Sequence, residues 1–169
     1  MTCILAVQVG GVAFMAGDTR ISWDDQYVDG LQKVFALNRH VLVGVCGDAC
    51  CVDVYLRVAL KARRCTNALS AARALQVIFG GDAGMVGANY TMLIASVDRL
   101  CELTQHGIIS QPFDEDHPAR AGSGGPLAEA HWVATRALGK ADLAASIVSV
   151  SRFRSDCGPA AIVVSTSGR

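Results

Sequence analysis

The sequence predicts an α+β fold, a four-layer α-β-β-α sandwich, and two observations carry that expectation. Apolar, β-rich runs come in hairpin pairs, and helical stretches come in pairs between and after them. The resulting order is two hairpins, two helices, three or more strands, two helices and a strand. Each sheet must bury one face against helices and the other against something else, and two sheets packed together with helix pairs outside satisfy every apolar face. No repeat, low-complexity tract or linker interrupts the 169 residues, so one domain over residues 1–169 is expected.

Each element has its own signal. Residues 2–9 and 12–17 are apolar runs joined at Gly10-Gly11, the pattern of a hairpin. Residues 20–32 are polar and irregular and read as a loop holding Asp24, Asp25, Asp29 and Gly30. Val34, Phe35 and Leu37 form a short strand, residues 38–40 a turn, and residues 41–46 (VLVGVC) a fully apolar strand. Gly47 breaks that strand, and Asp48 is placed to cap a helix running to about Arg64. Its apolar stripe reads Val52, Tyr55, Leu56, Ala59 and Leu60. Thr66 or Asn67 caps a second helix through Ala71, Leu75 and Ile78. GGDAGMVG at 80–87 lacks the lysine and the strand-before, helix-after setting of a phosphate loop, and reads as a connector.

Residues 90–97 form a strand. LCELTQHGIIS adds one or two more, turning near Asp98-Arg99 and His106-Gly107. QPFDEDHPAR reads as an acidic loop. AGSGGP at 121–126 is a sharp turn into a third helix over Leu127–Leu138, and a fourth runs from about Ala141 to Val150. The last apolar strand covers 160–166.

Composition narrows the function. Fifteen basic and fifteen acidic residues give a formal net charge of +0, without the basic excess of a nucleic-acid footprint. KARR at 61–64 reads as a helix C-terminus, where cations are favoured. Hydrophobic residues make up 51% and charged residues 18%, an apolar balance that suits either subunit interfaces or an Ala- and Val-rich core. Seven cysteines in irregular spacing read as reduced, buried thiols of a cytoplasmic protein. Cys46, Cys50 and Cys51 come nearest to a metal pattern, but no second Cys or His pair completes it, so no metal and no cofactor are expected. No segment approaches a membrane span.

Thr2 carries the chemistry. With Met1 removed, it holds a hydroxyl and a free α-amine on one residue, the nucleophile and general base of an N-terminal threonine hydrolase. The α-amine titrates near 7.7–8.0 in model peptides, so a useful fraction is neutral at pH 7. With Met1 retained the amine is an amide and has no basic lone pair.

The opening TCILAVQVGGVAFMAGDTR, the segment QKVFALNRHVLVGVCGDA and the turn AGSGGP, in this order, resemble the proteasome β-subunit and HslV-like family of N-terminal nucleophile hydrolases. The likeness covers about residues 2–166. It implies Thr2 as nucleophile, Asp18 as the acid sixteen residues on, Lys33 as the active-site lysine and Gly47 as the oxyanion-binding backbone. It further implies Ser123 as the serine beside the terminal amine and Ser22 as a backbone partner for an extended peptide. Ile21 and Val45 fall near the pocket for the residue before the scissile bond, which implies an apolar preference. A lysine cation would lower the amine's pKa and stabilise developing negative charge, and Asp18 would hold it charged and oriented.

One region departs from the family's pattern. Where an acid, a serine and a glycine are usual before the last strand, this chain has SRFRSDCGP, with Arg154 at the acid position, Cys157 at the serine position and Gly158 at the glycine. Asp156 is the acid that a shifted register would bring in, and the turn is also where relatives form a cation site from backbone carbonyls. A start at Met1-Thr2 without a propeptide suits a threonine freed by ordinary methionine removal. The resemblance implies a threonine-type endopeptidase that self-associates into rings, acts on peptides or unfolded proteins and works with an ATPase unfoldase. Two other readings stand beside it: a catalytically inactive scaffold subunit, and an N-terminal nucleophile amidase acting on a small amide.

Overall fold

Gly10 and Gly11 both have positive φ, 57° and 76°, the geometry of a two-residue hairpin turn. They join β1 (Ile4–Val9) to β2 (Val12–Asp18), which pair antiparallel from Val9↔Val12 to Ile4↔Gly17. The computed structural model describes residues 2–23, 26–48, 50–111, 113–114 and 116–166, and of Trp23 and Gln111 the backbone. Met1, Asp24 and Asp25 therefore lie outside the described residues.

The expected loop at 20–32 holds two short strands, β3 (Ile21–Trp23) and β4 (Gln26–Val28), paired antiparallel as a small hairpin. Their β-branched and aromatic residues suit an extended pair, and the acidic middle of the segment hides that signal in the sequence. After it come β5 (Val34–Asn38) and β6 (Val41–Gly47), joined by the expected turn, where the Asn38 side chain accepts from the His40 and Val41 N–H groups. The first helix, α1, spans Cys50–Ala62. Asp48 turns its carboxylate to the Asn89 N–H, 2.9 Å, while its carbonyl accepts from the Cys51 N–H. The buried stripe of α1 is Cys51, Val52, Val54, Tyr55, Val58 and Ala62. Leu56 and Leu60 stand 52% and 61% exposed, so the expected stripe is rotated toward the smaller and β-branched side chains.

Asn67 caps α2 (Ala68–Gly80) by accepting from the Ser70 N–H at 2.9 Å. A 3₁₀ turn at Ala83–Met85 leads to β7 (Tyr90–Ser96), β8 (Arg99–Thr104) and β9 (Gly107–Gln111). The expected acidic loop ends in a third unforeseen strand, β10 (Ala119–Ala121), which pairs with β1. Then follow α3 (Gly125–Ala137), α4 (Leu143–Val150) with Asp142 as its cap, and β11 (Ala161–Ser165).

The larger sheets run β10-β1-β2-β11 and β5-β6-β7-β8-β9. Three apolar clusters hold these elements. One joins α1 and α2 to the five-stranded sheet through Tyr55, Leu75, Phe79, Val43 and Ile94. A second draws on both sheets, with Ile4, Ala13 and Met15 from one and Leu42, Leu93 and Leu100 from the other. The third joins the four-stranded sheet to α3 and α4 through Leu5, Val7, Trp132 and Ile147. Fully burying a Leu, Ile or Phe side chain contributes about 1.5–3 kcal/mol. Among the described residues no helix is long and apolar enough to cross a membrane.

Candidate active site

The last residue of β2, Asp18, is fully buried, and its carboxylate gathers four donors. Oδ1 accepts from the Cys3 N–H at 2.7 Å, and Oδ2 from the Arg20 and Gly158 N–H groups at 3.1 Å each. The Lys33 ammonium donates to both oxygens, at 3.1 and 3.2 Å. Lys33 is itself 2% exposed and donates also to the Arg20 carbonyl. A buried charge is tolerable only when paired and hydrogen-bonded, and here each member of the pair supplies that for the other. Lys33 stands just before β5, with its carbonyl accepting from the Val45 N–H of β6 at 2.8 Å.

Above this pair lies a cleft of about 540 Å³. Thr2, Lys33, Gly47 and Ser123 all line it, as do Ile21, Ser22 and Val45. Seven of the eight residues singled out from sequence thus share one cleft, and the eighth, Asp18, bonds to Lys33. Thr2 is held through its carbonyl, which accepts from the Gly124 N–H at 3.3 Å. The turn that carries Ser123 approaches so closely that a Cβ on Gly122 (φ 81°) would fall 2.0 Å from that carbonyl oxygen. Glycine is required there by both space and conformation. The Ser123 Oγ is buried without a hydrogen-bond partner among the described residues. Gly47 (φ 131°) ends β6 against β7, where a Cβ would fall 2.1 Å from the Asn89 carbonyl oxygen. A threonine, a buried lysine and a glycine at a strand end thus face one space, and acyl transfer can use a hydroxyl, a cation and free backbone N–H in such an arrangement.

No protein-family model and no curated protein matches this sequence. Solved structures do match. The eukaryotic HslV of Trypanosoma brucei superposes with a TM-score of 0.73 at 20% identity, over 97% of this chain and 98% of that one. BPH of Thiobacillus denitrificans, in complex with epoxomicin, superposes with a TM-score of 0.74 at 16% identity, over 99% of this chain and 100% of that one. A second BPH structure gives 0.72 at 16% identity and the same coverage.

The chain has the HslV fold.

Within this HslV fold the turn before β11 is built in an unexpected way. The Asp156 carboxylate engages the Arg154 guanidinium at 2.9 and 3.0 Å. Cys157 is fully buried in the cluster under α3 and α4, and the turn reaches Asp18 through the Gly158 N–H instead. A Cβ on Gly124 would fall 2.7 Å from the Cys157 Sγ, so this thiol fills the space that the glycine leaves.

The cleft wall also holds Leu31, Cys46, Asp48, Cys51, Val52 and Gly122, none of which the sequence singled out for this role. Gly122 had a signal in the Gly-rich turn, and Cys51 and Val52 had one in their place at the start of a helix after Gly47. Burial raises the Cys46 thiol, and burial with the neighbouring Cys50 pushes Cys51 up to about 12. Both stay protonated near pH 7, so neither supplies a thiolate in competition with a threonine hydroxyl.

Proposed function

We propose that this chain is a threonine-type endopeptidase of the HslV and proteasome kind, with Thr2 as nucleophile once Met1 is removed. The observation that carries the reading is the convergence of Thr2, Lys33, Gly47 and Ser123, from four separate parts of the chain, on one cleft above a buried Lys33–Asp18 pair. In this reading the freed α-amine takes the Thr2 hydroxyl proton, and Lys33 keeps the amine's pKa low and stabilises the developing alkoxide. Gly47 offers backbone N–H to the oxyanion, and the Ser123 Oγ finds its partner in the amine. The carbonyl carbon of the substrate is attacked, an acyl-enzyme forms on Thr2 as the amine product leaves, and water releases it. Ser22 on β3 pairs with an extended peptide, while Ile21 and Val45 favour an apolar residue before the scissile bond.

The proposal extends to architecture and setting. The three apolar clusters support a four-layer α-β-β-α stack forming one peptidase domain over residues 1–169. By likeness to HslV, the chain assembles into rings in the cytoplasm, encloses the clefts, and receives unfolded protein from an ATPase. The inactive-scaffold reading draws on one observation, the pairing of Asp156 with Arg154 in the turn where relatives carry an acid and a serine.

Intact mass and active-site labelling test this together. The purified protein is expected to have lost Met1 and to take one equivalent of a peptide vinyl sulfone or of epoxomicin, the ligand in the BPH complex. Thr2→Ala should lose labelling and reduce peptide turnover by roughly 10³-fold or more. A full-length mass with Met1 retained, or labelling that persists in Thr2→Ala, would sink the assignment. Native mass spectrometry tests the rings, and a stable monomer would remove them.

A further inference from the structure

We propose that the Arg20 side chain is a positioning residue for the Lys33–Asp18 pair; the proposal rests on the peptidase reading of the cleft. The backbone of Arg20 touches both members: its N–H donates to Asp18 Oδ2 at 3.1 Å, and its carbonyl accepts from Lys33 Nζ. Residue 20 lies between β2 and β3, outside either strand, so no strand ladder fixes this peptide.

The guanidinium fixes it instead. Nε and Nη2 grip the Asp29 carboxylate at 2.8 and 2.9 Å, and Nη1 donates to the Ser155 carbonyl at 2.6 Å. The Tyr27 ring lies under the guanidinium carbon, 3.8 Å from the ring centroid. A planar fork of this kind holds direction as well as distance, which a lysine ammonium does not. The Arg20 side chain is 12% exposed and is covered by its partners, while Asp29 and Tyr27 on the outside of the clamp face water.

Each gripped segment returns to the site. Two residues past Asp29, the Leu31 N–H donates to the Thr19 carbonyl at 2.9 Å, closing the loop over residue 20. Three residues past Ser155, the Gly158 N–H donates to Asp18 Oδ2. A Cβ on Gly158 would fall 3.0 Å from the Arg20 Cβ, so a glycine lets the last turn lie directly against the clamp. One guanidinium therefore ties together three segments that share a carboxylate, and sets the peptide on which the lysine rests.

The experiment compares wild type, Arg20→Gln, Arg20→Lys and Asp29→Asn, all with Met1 removed and all checked for a cooperative melt. Arg20→Gln is expected to lower kcat by about 10- to 100-fold with little change in KM, the size that a displacement near 1 Å produces. Arg20→Lys should recover only part of this, and Asp29→Asn should fall in the same direction by less. A second readout needs no activity. The chain has three lysines, 33, 61 and 140, and reductive methylation followed by peptide mapping should spare Lys33 in wild type and reach it in Arg20→Gln. Wild-type kcat and unchanged Lys33 protection in a folded Arg20→Gln would overturn the proposal. A wild type that neither turns over peptide nor takes the probe would overturn the peptidase reading alone, because the methylation pattern still decides the clamp.

Discussion

Lys33 and Asp18 stabilise each other only as a pair. Replacing Lys33 by Met leaves a fully buried carboxylate without its counter-ion, and unfolding in denaturant should show a loss of about 3–5 kcal/mol. The change should also abolish probe labelling at Thr2. Gly47 makes a different demand: at φ 131°, with the Asn89 carbonyl 2.1 Å from any Cβ, Gly47→Ala must displace backbone. A loss of about 3 kcal/mol or more is expected by the same measurement, and a variant as stable as wild type would refute the close approach. Lys33, Asp18, Gly47 and Ser123 could be named from the sequence only through the family resemblance, which rests on a lysine, an acid, a glycine at a strand end and a serine in a Gly-rich turn standing in order. The donors that complete the Asp18 cage were not legible. The N–H groups of Cys3 and Gly158 do their part as backbone, which any residue but proline supplies, so no residue type marks them.

Elements were readable where a periodic pattern ran long enough. Both apolar hairpins, all four helices and the central strands lie close to where the sequence puts them. The failures share a cause: β3, β4 and β10 are three residues each, too short for alternation to register, and are strands because a partner lies beside them. The rotated stripe of α1 has another cause. Leucines were weighted above Cys51, Val54, Val58 and Ala62, yet the smaller side chains are the ones packed against the five-stranded sheet. Paired substitutions test that assignment. Tyr55→Ala should cost about 3–5 kcal/mol, as a buried aromatic does. Leu60→Gln should stay within about 0.5 kcal/mol of wild type in the isolated chain. Equal effects from the two would place the helix the wrong way round.

At the scale of the whole molecule, buried thiols give stability an alkaline limit. Burial, then the negative charges of Asp18 and Asp156, push Cys157 up to about 11 from an ordinary 9.0. The unfolded chain therefore sheds this proton near pH 9 while the folded chain holds it until about pH 11. The contribution is fully present below pH 9 and is lost as pH rises from 9 to 11. Melting temperatures of wild type and Cys157→Ser, compared across that window by circular dichroism, should converge or cross in favour of the variant as pH rises. A constant difference would show that Cys157 titrates alike in both states.

The Gly158 N–H on Asp18 also bears on when the site can first exist. Residues 2, 18, 33, 47 and 123 are all made before residue 158, yet Asp18 lacks one of its four donors until that residue has emerged and β11 can pair with β2. A chain still on the ribosome thus has its hydroxyl and its lysine long before it has a finished cage to hold them.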